Sequence, residues 1–264
     1  MAKLRPLRRP ETVPVPRSVL ARRGWTRLVA GAPEAASFAV LLRELRAEGA
    51  VHSWRWLAPD GGLAELLAAE ARRRPGVLIA YYALLPGGRR ELVGAAALAE
   101  RVRADFPHAG FPVAARGFVR PRWRGAGLYA PLLAHRVALC RRTWGERLEG
   151  IHLGSADPRV WRCARRGPGR ARFLPVGEES LPAGRGRRRV RDFLHFAPAY
   201  ARRLRAECAG TPLTREVARM LSRGLPRDGH RRLRAAWAAA GRPSPALGRL
   251  LDLFAAIPLD GARS

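Results

Sequence analysis

The chain has 264 residues and a formal net charge of +29 at pH 7. Because 47% of its residues are hydrophobic, it can bury enough surface to offset the entropy of ordering, which excludes disorder throughout. Lys3 is the only lysine among 50 basic residues, and such a preference for arginine, with abundant alanine, glycine and proline, is typical of a GC-rich bacterial genome. We therefore expect nonspecific binding of nucleic acid at low salt, whereas the charge alone does not predict a nucleic-acid function.

The cysteines and the N-terminal segment indicate the cellular compartment in which the protein resides. Cys140, Cys163 and Cys208 are too few and too far apart for a disulfide framework, and the sequence has no CxxC or Cys/His cluster that would predict a metal site. Prolines interrupt the basic N-terminus where a signal peptide has its apolar run, and no stretch reaches the roughly 18 apolar residues of a membrane helix. The sequence predicts a soluble, cytoplasmic protein that has no membrane partner.

The first part of the chain predicts an arm, a strand and two helices. Residues 1–24 carry prolines among arginines and predict an irregular arm, and residues 25–31 (WTRLVAG) predict a strand. Apolar residues recur with helical spacing over residues 34–48, which end at Gly49. A second helical pattern covers residues 63–73 and stops before a proline.

The sequence pattern then changes from helical spacing to the apolar runs that are typical of buried strands. Residues 76–85 and 91–99 are apolar runs on either side of PGGRR, which predicts a hairpin. Residues 111–119 (FPVAARGFV) predict a third strand. An amphipathic helix is expected over residues 128–142, with an apolar face of five residues: Leu128, Leu132, Leu133, Val137 and Cys140.

The remainder predicts a further strand and helix, two strands and a helical tail. Residues 148–155 predict a strand, and residues 158–166 a short helix with proline at its start. Residues 172–177 and 191–197 predict two strands separated by a basic loop over residues 181–189. After Pro198 the patterns are helical, and the chain divides into an arm (1–24), a mixed α/β domain (25–197) and a helical extension (198–264).

The stretch between the third strand and its helix is the strongest candidate for a site. Gly125 and Gly127 precede a helix N-terminus, whose unpaired N–H groups and dipole attract anions, and Arg122 and Arg124 add charge. A Gly-x-Gly turn before a helix is as often simply a turn, so both interpretations stay open here. A P-loop is excluded because the motif has no lysine, and a dinucleotide fingerprint fits poorly after three successive strands.

The motif resembles the signature of the GNAT superfamily of acyl-CoA-dependent N-acyltransferases. RWRGAG, residues 122–127, meets that signature, Arg/Gln-x-x-Gly-x-Gly/Ala, in full. LVGAAALA before it, LYAPLLAHRV after it and DPRVWRCARRGPGRARFLPVG further on resemble the neighbouring elements, so the resemblance covers about residues 25–197. It implies a mixed, mostly antiparallel sheet flanked by helices, whose two central strands, at residues 117–120 and 148–155, splay apart.

The resemblance also implies a cofactor and the residues that bind it. Acetyl-CoA or another acyl-CoA would lie between the splayed strands, with its pantetheine arm on the backbone of residues 118–120 and its pyrophosphate on the N–H groups of residues 123–128. The implied cofactor-binding residues are Phe118, Val119, Arg120, Arg122, Trp123, Arg124, Gly125, Ala126, Gly127, Leu128 and Asp157, the last standing near the place of a family asparagine.

The implied reaction is direct transfer of the acyl group to a primary amine. A base removes the amine proton, and His152 is our first candidate because histidine titrates near neutrality; packing on the other face of its strand is the alternative. Glu100 is the second candidate, with Asp105 and His108 as substitutes. The family tyrosine that protonates the departing thiolate is missing, since its place falls near Cys163, so water or Cys163 would serve.

Two other functions stay open at this point. The missing tyrosine is compatible with a catalytically silent acyl-CoA-binding protein, and the basic loop near residues 184–189 with a nucleic-acid-binding protein. The acceptor is an unidentified small-molecule or protein amine. The C-terminal helices are expected to cover the catalytic domain or to join copies of the chain in a homo-oligomer.

Overall fold

The structure is a computed structural model that describes residues 5, 7–47, 76–100, 106–114, 117–183, 186–225 and 229–257. The helix predicted over residues 63–73 and the substitute base Asp105 lie outside these ranges. The chain forms two compact units. The first comprises Met1–Glu100 and Ala114–Leu139, and the second Arg101–Val113 and Cys140–Ser264.

Among its described residues, the first unit has an antiparallel sheet of five strands and three helices. Its strands, in both chain and spatial order, are β1 (Glu11–Thr12), β2 (Arg27–Gly31), β3 (Gly76–Leu84), β4 (Arg90–Ala99) and β5 (Gly117–Val119). Its helices are α1 (Arg17–Arg23), α2 (Ala35–Ala47) and α3 (Tyr129–Trp144), the last of which runs into the second unit.

The hairpin of β3 and β4 forms the centre of this sheet, as predicted. Both strands are buried over nearly their whole length, which is why their sequences are apolar without alternation. Tyr81 pairs with Gly94 and Tyr82 with Leu92, so Val93 is an extra residue that bulges from β4. Leu41 and Leu45 of α2 pack against the hairpin in the core cluster.

The second unit contains a three-stranded antiparallel sheet and five helices among its described residues. The strands are β6 (Gly150–Ser155), β7 (Leu174–Ala183) and β8 (Gly186–Phe196), in the spatial order β6-β8-β7. The helices are α4 (Pro158–Arg166), α5 (Pro198–Glu207), α6 (Thr214–Arg223), α7 (Gly229–Ala239) and α8 (Pro245–Ala256).

A buried carboxylate ties the C-terminal helices to this sheet. Glu149, directly before β6, accepts hydrogen bonds on Oε1 from Arg203 of α5 at 2.8 Å and from Arg249 of α8 at 2.6 Å. Leu225, after α6, donates its N–H to the carbonyl of Pro175 in β7 at 2.9 Å. The helical tail is therefore part of the second unit.

The mixed, mostly antiparallel α/β class is confirmed, while three local predictions are wrong. Residues 111–119 do not form one strand, because Pro112 has no N–H to pair and only Gly117–Val119 pairs with β4. The basic segment 181–189 is not a loop, since β7 and β8 extend into it, and Glu178 pairs across the strands with Arg189 and Arg191. Residues 11–23 of the predicted arm form β1 and α1.

His195 in β8 is a buried titratable group of the second unit. Its Nδ1 lies 3.2 Å from the carbonyl oxygen of Arg172, whereas its Nε2 is buried with no hydrogen-bond partner. Burial, aided by the charge of Arg141, lowers the pKa of His195 from 6.5 to about 4. The folded protein therefore keeps this ring neutral at pH values at which the unfolded chain protonates it.

We predict that this histidine makes folding less favourable in mild acid. Its contribution to stability is complete above pH 6.5 and is lost as the pH falls towards 4, because only the unfolded chain binds the proton in that window. At pH 5 the loss is about 2 kcal/mol. Urea unfolding of the wild type and of His195→Gln at pH 7 and pH 5 measures it, and an equal pH dependence in both proteins would contradict the prediction.

Candidate functional site

The site begins where β5 lies against β4 in the first unit. A Cβ atom at Gly94 would lie 2.2 Å from the carbonyl oxygen of Phe118, so only glycine allows the two backbones to approach this closely. Gly94 pairs with Val119, and Arg120 adds one further bond from its N–H to the carbonyl of Val93 at 2.9 Å. The bulge at Val93 therefore meets the end of β5.

An internal ion pair holds the end of β5. Both Nε and Nη2 of Arg120 donate to Glu44 Oε1 of α2, at 2.9 and 2.6 Å, and Nη1 donates to the carbonyl of Leu92 at 3.1 Å. The Arg120 side chain is only 11% exposed. Its guanidinium thus has a structural role in this unit, whereas the resemblance places the backbone of Arg120 in the cofactor site. No sequence pattern indicated the partner Glu44, 76 residues away.

The loop after β5 is a tight turn that uses two of the expected backbone donors. Trp123 donates its N–H to the carbonyl of Arg120 at 2.9 Å, and Arg124 donates to Pro121 at 3.1 Å. The ladder of α3 starts later, with the bond from Leu132 to Leu128 at 3.2 Å, and Pro131 has no N–H. Within the predicted set of residues 123–128, the N–H groups that neither this turn nor the α3 ladder uses belong to residues 125–128.

The two glycines of the motif are required by backbone conformation. Gly125 has φ = 78° and Gly127 has φ = 73°, in the left-handed region that other residues rarely adopt. A Cβ atom at either position would meet no other atom within 4 Å, and both residues are exposed. The space above the turn is therefore open to a ligand.

The side chains of the motif surround this open turn. Arg122 forms an ion pair with Glu91 of β4, and its guanidinium lies 5.0 Å from the centre of the Trp123 ring. Arg124 donates from Nε to the carbonyl of Val119 at 2.9 Å. Both arginines are exposed, so they keep donors on the solvent side, although Glu91 offsets part of the charge.

The other residues predicted to bind the cofactor or transfer protons differ in burial and in hydrogen-bond partners. Glu100 is buried at the end of β4. Asp157 caps α4 by accepting the N–H of Arg159 at 2.8 Å, a role that explains a carboxylate at this position. His108 lies 3.3 Å from Asp252, and Cys163 is half-buried in α4.

His152 in β6 lies beside a carboxylate that the sequence analysis did not identify. Its Nε2 lies 2.9 Å from Oδ1 of Asp192 in β8, and the side chains are 9% and 3% exposed. His152 Nδ1 and Asp192 Oδ2 are both buried without a hydrogen-bond partner. The sequence signal was weak, because Asp192 stands among arginines and apolar residues of a strand 40 positions further on.

Comparisons with known proteins place the chain near acetyltransferase structures at low similarity. No family model matches the sequence, and no curated protein matches it. A crystal structure of spermidine N-acetyltransferase from Vibrio cholerae with CoA and spermine is 16% identical, covering 66% of this chain and 97% of that one, with a TM-score of 0.47. A dodecameric structure of the spermidine N-acetyltransferase from Vibrio cholerae is 15% identical and covers 64% and 93% of the two chains, with a TM-score of 0.46.

An uncharacterised protein from Bacillus halodurans is 12% identical, covering 67% of this chain and 87% of that one, with a TM-score of 0.46. In the part of the chain that the structure describes, no helix is both long and apolar enough to span a membrane.

We predict that the pair of Arg120 and Glu44 stabilises the first unit. Glu44→Ala leaves a largely buried guanidinium without its carboxylate, which costs about 3 kcal/mol. Replacing both partners, as Glu44→Leu with Arg120→Met, removes the unpaired charge and is expected to recover most of that loss. Urea unfolding of the two single variants and the double variant measures the coupling, and strictly additive losses would contradict it.

Proposed function

We propose that this protein is an acyl-CoA-dependent N-acyltransferase of the GNAT superfamily that transfers an acetyl or related acyl group to a primary amine. The observation that carries the proposal is the open two-glycine turn between β5 and α3, within the spacing Arg-x-x-Gly-x-Gly. The turn combines backbone donors that the α3 ladder does not use with space in which an anion can approach them.

The pyrophosphate of CoA would lie on this turn. The N–H groups of residues 125–128 would supply hydrogen bonds, and the positive end of the dipole of α3 favours the negative charge. Arg122 and Arg124 are exposed beside the turn and add long-range attraction. Trp123 and Arg120 stabilise the turn. The Trp123 N–H donates to the Arg120 carbonyl, and the Trp123 ring packs against the Arg122 guanidinium.

The pantetheine arm would lie along β5. This strand ends the spatial order of its sheet, so one side of its backbone has no partner strand within that sheet. Amide groups of an extended ligand add to such an edge by main-chain hydrogen bonds. Phe118 and Val119 form that edge of the sheet. The edge ends at Arg120, beside the bulge at Val93 in β4.

The reaction would be direct attack on the thioester. The amine nitrogen forms a bond to the carbonyl carbon, the C–S bond breaks, and its electron pair leaves with CoA as thiolate. His152 takes the proton that the amine loses, with Glu100 as the second candidate for this role. Water or Cys163 would return a proton to the thiolate, since no tyrosine stands between Tyr129 and Tyr200.

The proposal places the reaction in the cytoplasm, where reduced cysteines persist. No disulfide joins Cys140, Cys163 and Cys208, and two of them are buried. The C-terminal helices would also be the contact between copies of a homo-oligomer, which sedimentation at micromolar concentrations measures. A monomer at all concentrations would remove the oligomer from the proposal and leave the activity untouched.

We predict that Gly125→Asn abolishes CoA binding without unfolding the protein. Asparagine tolerates the left-handed conformation, so the turn persists, while its side chain fills the space that the pyrophosphate needs. Calorimetry with acetyl-CoA is expected to show at least tenfold weaker binding than in the wild type.

The matched control is Gly210→Asn. Gly210 also has a positive φ, of 71°, and open space around its Cβ position, but lies in a turn between α5 and α6. Its variant is expected to bind acetyl-CoA like the wild type. Equal binding by the Gly125 and Gly210 variants would refute the placement of the pyrophosphate, and no binding by the wild type would refute the function.

Thiol release from acetyl-CoA, measured against amines, polyamines, aminoglycosides and peptides, tests catalysis. An N-acyltransferase releases CoA only in the presence of a suitable acceptor. Binding of acetyl-CoA without release for any acceptor would favour a silent acyl-CoA-binding protein, for which the missing tyrosine is the supporting observation.

A further inference from the structure

We propose that Asp192 is a positioning residue that sets the tautomer of His152 and so makes His152 Nδ1 the atom that accepts the amine proton. The inference rests on the proposed acyl transfer, and it adds a residue that neither the motif nor the family resemblance assigns. Its basis is the contact of 2.9 Å between His152 Nε2 and Asp192 Oδ1, in a pair that is buried on both sides.

The carboxylate decides where the ring carries its proton. An ionised carboxylate only accepts hydrogen bonds, so the neutral imidazole places its hydrogen on Nε2, facing Asp192. The lone pair then belongs to Nδ1, which is buried and without a partner. An unsatisfied buried acceptor costs about 1–3 kcal/mol of folding stability. A protein that keeps such an acceptor either uses it in its function or is destabilised by it.

The backbone around the pair leaves room for this arrangement. Asp192 pairs with Gly154 of β6 on one side and with Gly177 of β7 on the other. A Cβ atom at Gly154 would lie 3.0 Å from Asp192 Oδ1, so the carboxylate can reach across to His152 because that position is glycine. Gly154 is itself exposed, so the residue directly opposite Asp192 in the sheet reaches solvent.

The backbone also fixes the histidine. His152 pairs with Leu194 of β8 and donates its N–H to the carbonyl of Pro112 at 2.9 Å. The strand is thus held from both sides, and the ring has little freedom to leave the carboxylate. Orientation of a base by a second residue is the arrangement that makes proton transfer efficient.

His195, the neighbouring histidine of the sheet, shows the contrast. It pairs with Ile151, and so lies on the opposite face from His152. Its Nδ1 contacts a backbone carbonyl instead of a carboxylate, and its environment keeps the ring neutral. Of these two histidines of the sheet, His152 is the one with a carboxylate placed to stabilise the imidazolium that forms when a base takes up a proton.

The proton balance of the step is complete without another reactant. As the amine nitrogen bonds to the thioester carbon and the C–S electron pair leaves with sulfur, the nitrogen loses one proton to His152 Nδ1. The imidazolium, bonded through Nε2–H to Asp192, then releases that proton to water, and the thiolate takes up one proton from water or through Cys163. The products are the amide and CoA thiol, and the ring returns to its starting state.

Nitrogen NMR of the ring tests the tautomer independently of activity. In the full-length wild type, His152 is expected to carry its hydrogen on Nε2. Asp192→Asn can turn an NH₂ group towards Nε2 and is expected to move the hydrogen to Nδ1. Asp252→Asn, beside the half-exposed His108, is the matched control and leaves the His152 signals unchanged. A wild-type His152 with hydrogen on Nδ1, or no change in Asp192→Asn, would overturn the assignment.

Steady-state kinetics with an acceptor found by thiol release tests the role in the reaction. Asp192→Asn is expected to lower kcat about 100-fold, the size of a general-base effect, with KM for acetyl-CoA within about twofold. Gly154→Ala, which displaces the carboxylate and keeps both side chains, is expected to lower kcat about tenfold and covers the case in which Asp192→Asn fails to fold. An unchanged kcat in the folded variants would overturn the role of Asp192 alone.

Failure of the proposed function gives a different result. A wild type that binds no acetyl-CoA, or releases no thiol with any acceptor, overturns the function and this role together. Normal turnover in the wild type and in both variants overturns only the role. Loss of folding in both variants, with a wild-type tautomer on Nδ1, identifies the pair as structural and overturns the proposal as well.

Discussion

The candidate anion site depends on one ion pair, between Arg120 and Glu44. It fixes the point at which β5 stops and the turn begins, because the guanidinium holds both the carboxylate of α2 and the carbonyl of Leu92 in β4. The turn that follows uses the Arg120 carbonyl for its first bond. Where the backbone donors of residues 125–128 point is therefore set by a partly buried charge pair. An arginine suits this position better than a lysine, since its planar group makes several directed hydrogen bonds at once.

Part of the basic charge that was visible in the composition forms ion pairs that hold the molecule together. Arg120 pairs with Glu44, and Arg203 and Arg249 share Glu149, which ties the helical tail to β6. Among the described residues of the second unit, the buried polar side chains are Glu149, His152, Asp192, His195 and Ser244. Each of these groups exchanges solvation by water for a small number of fixed partners. A net charge of +29 is thus a poor guide to function, because part of it is structural.

Local patterns predicted the parts of the fold that local physics controls. The apolar runs of β3 and β4, the proline at the start of α4 and the helical tail were all confirmed. The extent of β7 and β8 was not predicted, because arginine and glycine usually indicate a loop, and only cross-strand pairing with Glu178 shows why this segment is extended. The short β5 was also missed, since the end of a strand depends on where its partner's ladder stops.

The sequence by itself determined the mixed class of the fold and the two-glycine turn, because spacing and backbone preference act between neighbouring residues. It also supplied the comparison with acyl-CoA-dependent transferases through six consecutive residues, 122–127. Only the tertiary structure decided which side chains meet. Glu44 reaches Arg120 across 76 positions and Asp192 reaches His152 across 40, distances along the chain over which no periodic pattern carries information. Sheet register and glycine-sized gaps bring such residues together, and these are properties of the folded backbone as a whole.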